Sequence, residues 1–296
     1  MLLLLLFFGI LLLYAVLYFL IPKGILIHEL IHLPIYWIRM FSTNTRDLIE
    51  EKYSYGTHRK QYLLHLKSKT IPAEKQHVAI YIHGGGWRFG SPKFFKPNAL
   101  FLAQQGFEVF LPSHRKTPRY KFNDQVEDIA EAVKLALQIL KKAGKSNKKI
   151  IIGGISSGGH LSASLLAREI LLKKFDIPKS VFSGAFLLAA PLNLRLMRQT
   201  FIVKSLIGKD CSNANPYENI SREERIPYLI IQGEKDGMVD AFSTLSYADK
   251  FKSLNPDILQ FELLKNGTHL DAGKWMFQQD QVGTILSQWL RQIESP

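Results

Sequence analysis

The sequence predicts an α/β fold, a mainly parallel central sheet flanked by helices, set behind an N-terminal transmembrane helix. Three observations predict it. From Tyr62 onward, short apolar runs alternate with longer helical patterns, as expected of strands buried on both faces and joined by helical crossovers. The chemically suggestive residues fall just beyond the carboxyl ends of those runs, where reactive groups gather in such sheets. Finally, Leu2 to Ile21 carries no charge, side-chain amide or proline.

About 20 apolar residues at a rise of ~1.5 Å span a hydrocarbon core of roughly 30 Å, so residues 1–22 are expected to form a retained single-pass anchor. A cleaved signal peptide would want a basic start, a shorter apolar core and a small-residue cleavage site. The segment lacks them. Lys23, Arg39 and Arg46 follow the span, which by the positive-inside rule leaves the main domain on the cytoplasmic side. Asn219-Ile220-Ser221 and Asn266-Gly267-Thr268 would be glycosylation acceptors only on the other side. Residues 23–52 continue apolar, are broken by Pro34, and are expected to lie on the membrane surface or to act as a lid.

Residues 53–296 form the main domain. Strands are expected at Val78–His83, Phe107–Leu111, Lys149–Gly153, Gly184–Ala190, Tyr228–Gln232 and Ile258–Leu264. The clearest helix is Asp124–Lys142, where Val126, Ile129, Val133, Ala136, Leu137 and Leu140 recur at three- and four-residue steps. Hydrophobic residues at 47% and charged residues at 21% fit one globular unit rather than a disordered chain. The single cysteine, Cys211, excludes an internal disulfide framework. A formal charge of +13 raises the question of nucleic acid. No recognition motif accompanies it, so it reads as a solvated basic surface with some affinity for anionic lipid, and no nucleic-acid partner is expected.

Gly154-Ile155-Ser156-Ser157-Gly158 follows an expected strand and opens a helix. This G-x-S-x-G pattern lifts a serine hydroxyl clear of the sheet on a strained turn. Ser157 has no glycine two positions before it, so the pattern selects Ser156 as nucleophile. His83-Gly84-Gly85-Gly86-Trp87 follows the strand Val78–His83. Its bare backbone can turn N–H groups toward a developing oxyanion. A serine also needs a histidine to take its proton and a carboxylate to orient that histidine. Asp236, with Glu234 and Asp240 as rivals, follows the strand Tyr228–Gln232. His269, the only histidine after His160, follows the last strand. One competing motif stands apart: His28-Glu29-Leu30-Ile31-His32 matches the H-E-x-x-H zinc-peptidase pattern.

These residues together resemble the hormone-sensitive lipase-like esterases, which include the arylacetamide deacetylase group and related bacterial carboxylesterases, of the α/β-hydrolase superfamily. The resemblance runs from about Tyr55 to the C-terminus and extends to Ser91-Pro92, Asp128 and Asn215-Pro216-Tyr217. It implies the α/β-hydrolase fold and a Ser156–His269–Asp236 triad. It further implies oxyanion donors at Gly85, Gly86 and Ser157, and no metal or organic cofactor. Ser157 stands where alanine is usual, and Ser113-His114-Arg115 where Asp-Tyr-Arg is common. The expected function is serine carboxylesterase or deacetylase action on lipophilic carboxylic esters, through an acyl-enzyme on Ser156. Lipase, amidase or peptidase chemistry on the same triad is the alternative, and a dead hydrolase acting as a binding module is a further one.

Overall fold

The computed structural model describes residues 2–71, 77–208, 211–277 and 280–294. The chain opens with α1 (Leu2–Leu20) and α2 (Leu26–Ser42), then β1 (Leu48–Ser54), β2 (Tyr62–Ser68), β3 (His77–Ile82), α3 (Lys96–Gln104) and β4 (Phe107–Pro112). It continues through α4 (Phe122–Lys142), β5 (Ile150–Ile155), α5 (Ser157–Leu166), α6 (Glu169–Lys174), β6 (Phe182–Leu188) and α7 (Phe201–Ile207). It finishes with β7 (Tyr228–Gly233), α8 (Ala241–Leu254), β8 (Leu259–Leu264), α9 (His269–Ala272) and α10 (Gln281–Glu294). Among the described residues eight strands form one sheet in the order β1-β2-β4-β3-β5-β6-β7-β8. The β1–β2 and β2–β4 pairs are antiparallel, and from β4 to β8 every pair is parallel.

Period-two alternation sends successive residues to opposite faces, and both faces here are apolar. Val78, Ile80 and Ile82 of β3 and Ile150 and Ile152 of β5 pack with Val126, Ile129, Val133 and Leu140 of α4. Ala79 and Tyr81 of β3 and Ile151 of β5 face the other way, toward Leu102 of α3 and Leu286 and Trp289 of α10. With both faces covered, only the strand ends are free for chemistry. The six expected strands are all present, shifted by no more than two residues at either end. The expected helix begins at Phe122 rather than Asp124, because the Asp124 carboxylate caps it by accepting the Lys121 N–H at 2.9 Å.

Three expectations change. The boundary at residues 52 and 53 cuts through β1, which pairs with β2 from Leu48 to Ser54, so the sheet domain begins earlier. β1 carries Glu50, Glu51 and Lys52 and lies at a solvent edge, which hides the apolar alternation a strand normally shows. Second, Pro34 does not break its segment: α2 runs through it. A proline forfeits one helical hydrogen bond, but Leu33, Tyr36 and Met40 hold both halves against the domain. Third, the transmembrane expectation is not met: among the described residues no helix is long and apolar enough to cross a membrane. The last turns of α1 are instead committed to α2. The Tyr14 hydroxyl donates to the Ile31 carbonyl at 2.7 Å, and the Tyr18 ring lies 4.0 Å from that of His32.

The central strands set the stability of the unit. Replacing the fully buried Ile152 with alanine is expected to cost about 2–5 kcal/mol, read as a lower midpoint in denaturant unfolding with an unchanged slope.

Candidate active site

Ser156 stands at the turn between β5 and α5 with φ 55° and ψ −124°, a strained conformation for a residue with a side chain. Its N–H donates to the Leu188 carbonyl at 2.8 Å, which ties the turn to β6. Its neighbours must be small. A Cβ on Gly154 would lie 2.5 Å from the Ile82 carbonyl oxygen, and one on Gly158 would run into the same atom. The G-x-S-x-G spacing therefore follows from β5 and α5 passing close to the end of β3.

The glycine loop after β3 is held from several sides. Gly85, Gly86 and Trp87 take φ values of 131°, 57° and 60°, and the Arg88 and Phe89 N–H groups donate to the Gly85 carbonyl at 3.1 and 2.8 Å. His83 is buried and bonds the Gly84 carbonyl through Nδ1 at 2.7 Å. Its Nε2 lies 3.1 Å from Lys116 Nζ, which also approaches His114 Nε2 at 3.0 Å. Burial first, and Lys116 second, push both imidazoles well below their ordinary range. Neutral rings then accept from the lysine. The Trp87 indole N–H donates to His160 Nδ1 at 3.1 Å, and His160 Nε2 donates to the Ala214 carbonyl at 2.7 Å. Burial drives His160 down to about 4, so it is a neutral structural strut.

Asp236 and His269 meet at the ends of β7 and β8, with His269 Nδ1 donating to Asp236 Oδ2 at 2.8 Å. Gln232 Nε2 donates to the same oxygen at 3.0 Å, while Oδ1 accepts from Met238 N at 2.8 Å and Val239 N at 2.7 Å. Burial lowers the proton affinity of His269, but the charge and hydrogen bond of Asp236, with Glu29, outweigh it and leave the imidazole raised above 6.5. The rivals are spent elsewhere. Glu234 accepts the Asn266 N–H at 2.8 Å, and Asp240 caps α8 through Phe242 N at 3.0 Å.

Ser156, Gly85, Gly86 and His269 line one cavity of about 610 Å³, walled by Leu26, Leu30, Leu33 and Trp37 of α2, Phe89, Met197 and Ile202. Asp236 and Ser157 do not line it. The H-E-x-x-H residues do not assemble as a metal site. His28 and His32 use their Nδ1 atoms on the Ile21 and His28 carbonyls, and Glu29 turns to backbone N–H groups beside His269. Among the described residues no group of three histidines, cysteines or acids is placed to hold a metal ion.

The BD-FAE family model matches residues 64–183. The crystal structure of esterase B from Lactobacillus Rhamnosis has a TM-score of 0.73 over 90% of this chain and 92% of that one, at 17% identity. The chain has the fold of that esterase, an α/β-hydrolase fold. Esterase LipC of Mycobacterium tuberculosis is 23% identical over 221 residues, covering 68% of this chain and 54% of that protein. Arylacetamide deacetylase of Bos taurus is 38% identical over 97 residues, covering 31% of this chain and 24% of that protein. The chain thus spans about half or less of the length of these curated relatives.

Sequence reasoning missed several residues that build the candidate site. Gln232 is a buried polar residue at the end of an apolar strand, a signal that was visible. Its Oε1 accepts from Thr244 Oγ1 at 2.9 Å, a partner on α8 that no local pattern marks. The Trp87–His160 bond and the Lys116 bridge likewise join segments distant in sequence. Ser157 Oγ is buried with no hydrogen-bond partner among the described residues. Ser157→Ala removes that unpaired hydroxyl and keeps the backbone N–H. It is therefore expected to leave thermal stability equal or higher in a melting experiment, by up to about 1–3 kcal/mol.

Proposed function

We propose that this α/β-hydrolase is a serine carboxylesterase that cleaves lipophilic carboxylic esters through an acyl-enzyme on Ser156. The observation that carries the reading is that His269, bonded to Asp236 at 2.8 Å, lines the cavity that Ser156 and the glycine loop also line. Ser156 Oγ attacks the ester carbonyl carbon while His269 Nε2 takes its proton, and Asp236 stabilises the imidazolium that forms. Backbone N–H groups of Gly85, Gly86 and Ser157 hold the oxyanion. His269 then gives the proton to the leaving alcohol. Water, deprotonated by His269, attacks the acyl carbon and restores the serine.

Two features support a lipophilic substrate. The cavity walls are aliphatic and aromatic side chains from α2 and from the segment around α7, so the acyl or alcohol group gains affinity by leaving water. The names of the relatives, an esterase and an arylacetamide deacetylase, support ester cleavage and extend the reading to acetyl amides as a second class.

We also infer that the N-terminal helices attach the enzyme to a lipid surface. Phe19 and Leu20 of α1 are 81% and 73% exposed, and Ile38 and Phe41 of α2 are exposed beside the cavity wall. Exposed apolar faces of this extent mark interaction surfaces.

Labelling with a fluorophosphonate, and hydrolysis of p-nitrophenyl esters of rising acyl length, test the chemistry. Ser156→Ala and His269→Ala are expected to lower kcat by about 10⁶-fold, with labelling lost in the serine variant. Labelling that survives Ser156→Ala would overturn the assignment. Because His269 must be neutral to accept a proton and its proton affinity is raised, the acidic limb of kcat/KM is expected above pH 6.5. An Asp236→Ala variant whose acidic limb does not move downward would contradict the pairing with Asp236.

For the lipid surface, the full chain is expected to co-sediment with phosphatidylcholine–phosphatidylserine vesicles. Phe19→Glu with Leu20→Glu is expected to weaken binding while leaving hydrolysis of soluble esters intact. Equal sedimentation of both proteins would refute the attachment.

A further inference from the structure

The His28-Glu29-Leu30-Ile31-His32 stretch has no part in the proposed reaction, yet Glu29 is fully buried. The motif divides its work. His28 and His32 stack on each other with ring centres 4.0 Å apart and, with Tyr18, fasten α2 to α1. Glu29 points the other way. Its Oε1 accepts the Gly237 N–H at 3.1 Å and the His269 N–H at 2.8 Å, and its Oε2 accepts the Leu270 N–H at 3.4 Å.

Those three donors come from two separate loops. Gly237 follows Asp236 at the end of β7, and His269 and Leu270 begin the segment after β8. A single carboxylate from α2 therefore bridges the backbone of the acid loop to the backbone of the base itself. The fit is close at both ends. A side chain on Gly237 would collide with the Ile25 carbonyl just before α2, and the Tyr36 hydroxyl donates to the Gly273 carbonyl at 3.2 Å. A buried carboxylate persists only when such donors satisfy it, so the bridge accepts one arrangement of the two loops.

We propose that Glu29 is a positioning residue, which fixes the Asp236 loop against the His269 loop and so holds the imidazole at the angle the reaction needs. This inference rests on the reading of Ser156, His269 and Asp236 as the triad. It goes beyond that reading by making α2 part of the machinery rather than only a cavity wall. The charge of the carboxylate also favours the ring that becomes positive. Among the described residues the charged groups that act on His269 are Asp236 from the β7 loop and Glu29 from α2, while Asp271 of α9 is engaged by Lys274 and Lys23.

The test uses the full-length enzyme with p-nitrophenyl esters, each preparation normalised to the sites that a fluorophosphonate labels. Glu29→Ala leaves the Gly237, His269 and Leu270 N–H groups without this partner and frees the two loops. It is expected to lower kcat by about 10²-fold while KM moves by less than about threefold, since misplacement of the base by an ångström acts on the reaction more than on binding. Glu29→Gln keeps a carbonyl oxygen for Gly237 and His269 and removes the charge. It is expected to recover most of kcat and to move the acidic limb of the pH profile downward. If Glu29→Ala folds poorly, the glutamine variant carries the test through that limb. A normalised kcat equal to wild type in the alanine variant, or a glutamine variant with an unmoved limb, overturns the proposal and leaves a merely structural carboxylate. A wild-type protein that neither labels nor hydrolyses any ester overturns the triad reading beneath it, which is a distinct result.

Discussion

The Asp236 carboxylate accepts from Gln232, Met238, Val239 and His269 while lying out of contact with water. A charge so placed is stable only when its lone pairs are used, and using them dictates the surroundings. Gln232 must stand at the end of β7, and Thr244 on α8 must hold Gln232. The turn after β7 must aim two N–H groups inward, and the chain after β8 must return with an imidazole. The sheet end, a flanking helix and two loops are thereby committed to one geometry by one group.

A second constraint explains why the polar chemistry collects there at all. The parallel strands are covered on both faces by α4 and α5 on one side and α3 and α10 on the other. Apolar side chains fill most of their length, so the strand ends carry what the interior cannot. The strained Ser156 turn is bought at this same edge by close passage of the end of β3, with Gly154 and Gly158 admitting the Ile82 carbonyl. The second helix, α2, completes the enclosure. Its apolar residues close the cavity, and Glu29 reaches through to the backbone beside the acid and the base.

Much of this was legible in the order of residues. Six strands and α4 follow from apolar runs and helical periodicity, because burial on both faces leaves a continuous apolar trace. Ser156 and the glycine loop are legible for a different reason: both are local turns whose glycines are required within a few residues of the reactive group. β1 was not legible, because an edge strand with one solvated face accepts Glu50, Glu51 and Lys52 without penalty. The helix through Pro34 was not legible either, since tertiary packing there outweighs the lost hydrogen bond.

Choosing among Glu234, Asp236 and Asp240 depended on where each carboxylate points, and only Asp236 turns to His269. The same holds for His28-Glu29-Leu30-Ile31-His32. As a string it matches a zinc motif, yet the fold sends its histidines to α1 and its glutamate to the loops beside His269. Covalent neighbours and short-range spacing determine backbone turns and burial patterns, and those are written in the chain itself. Partnerships such as Glu29 with His269, or Trp87 with His160, join residues far apart along it. They come into being only when the packed core brings those segments within hydrogen-bonding distance, because a hydrogen bond acts over about 3 Å and carries no trace along the chain.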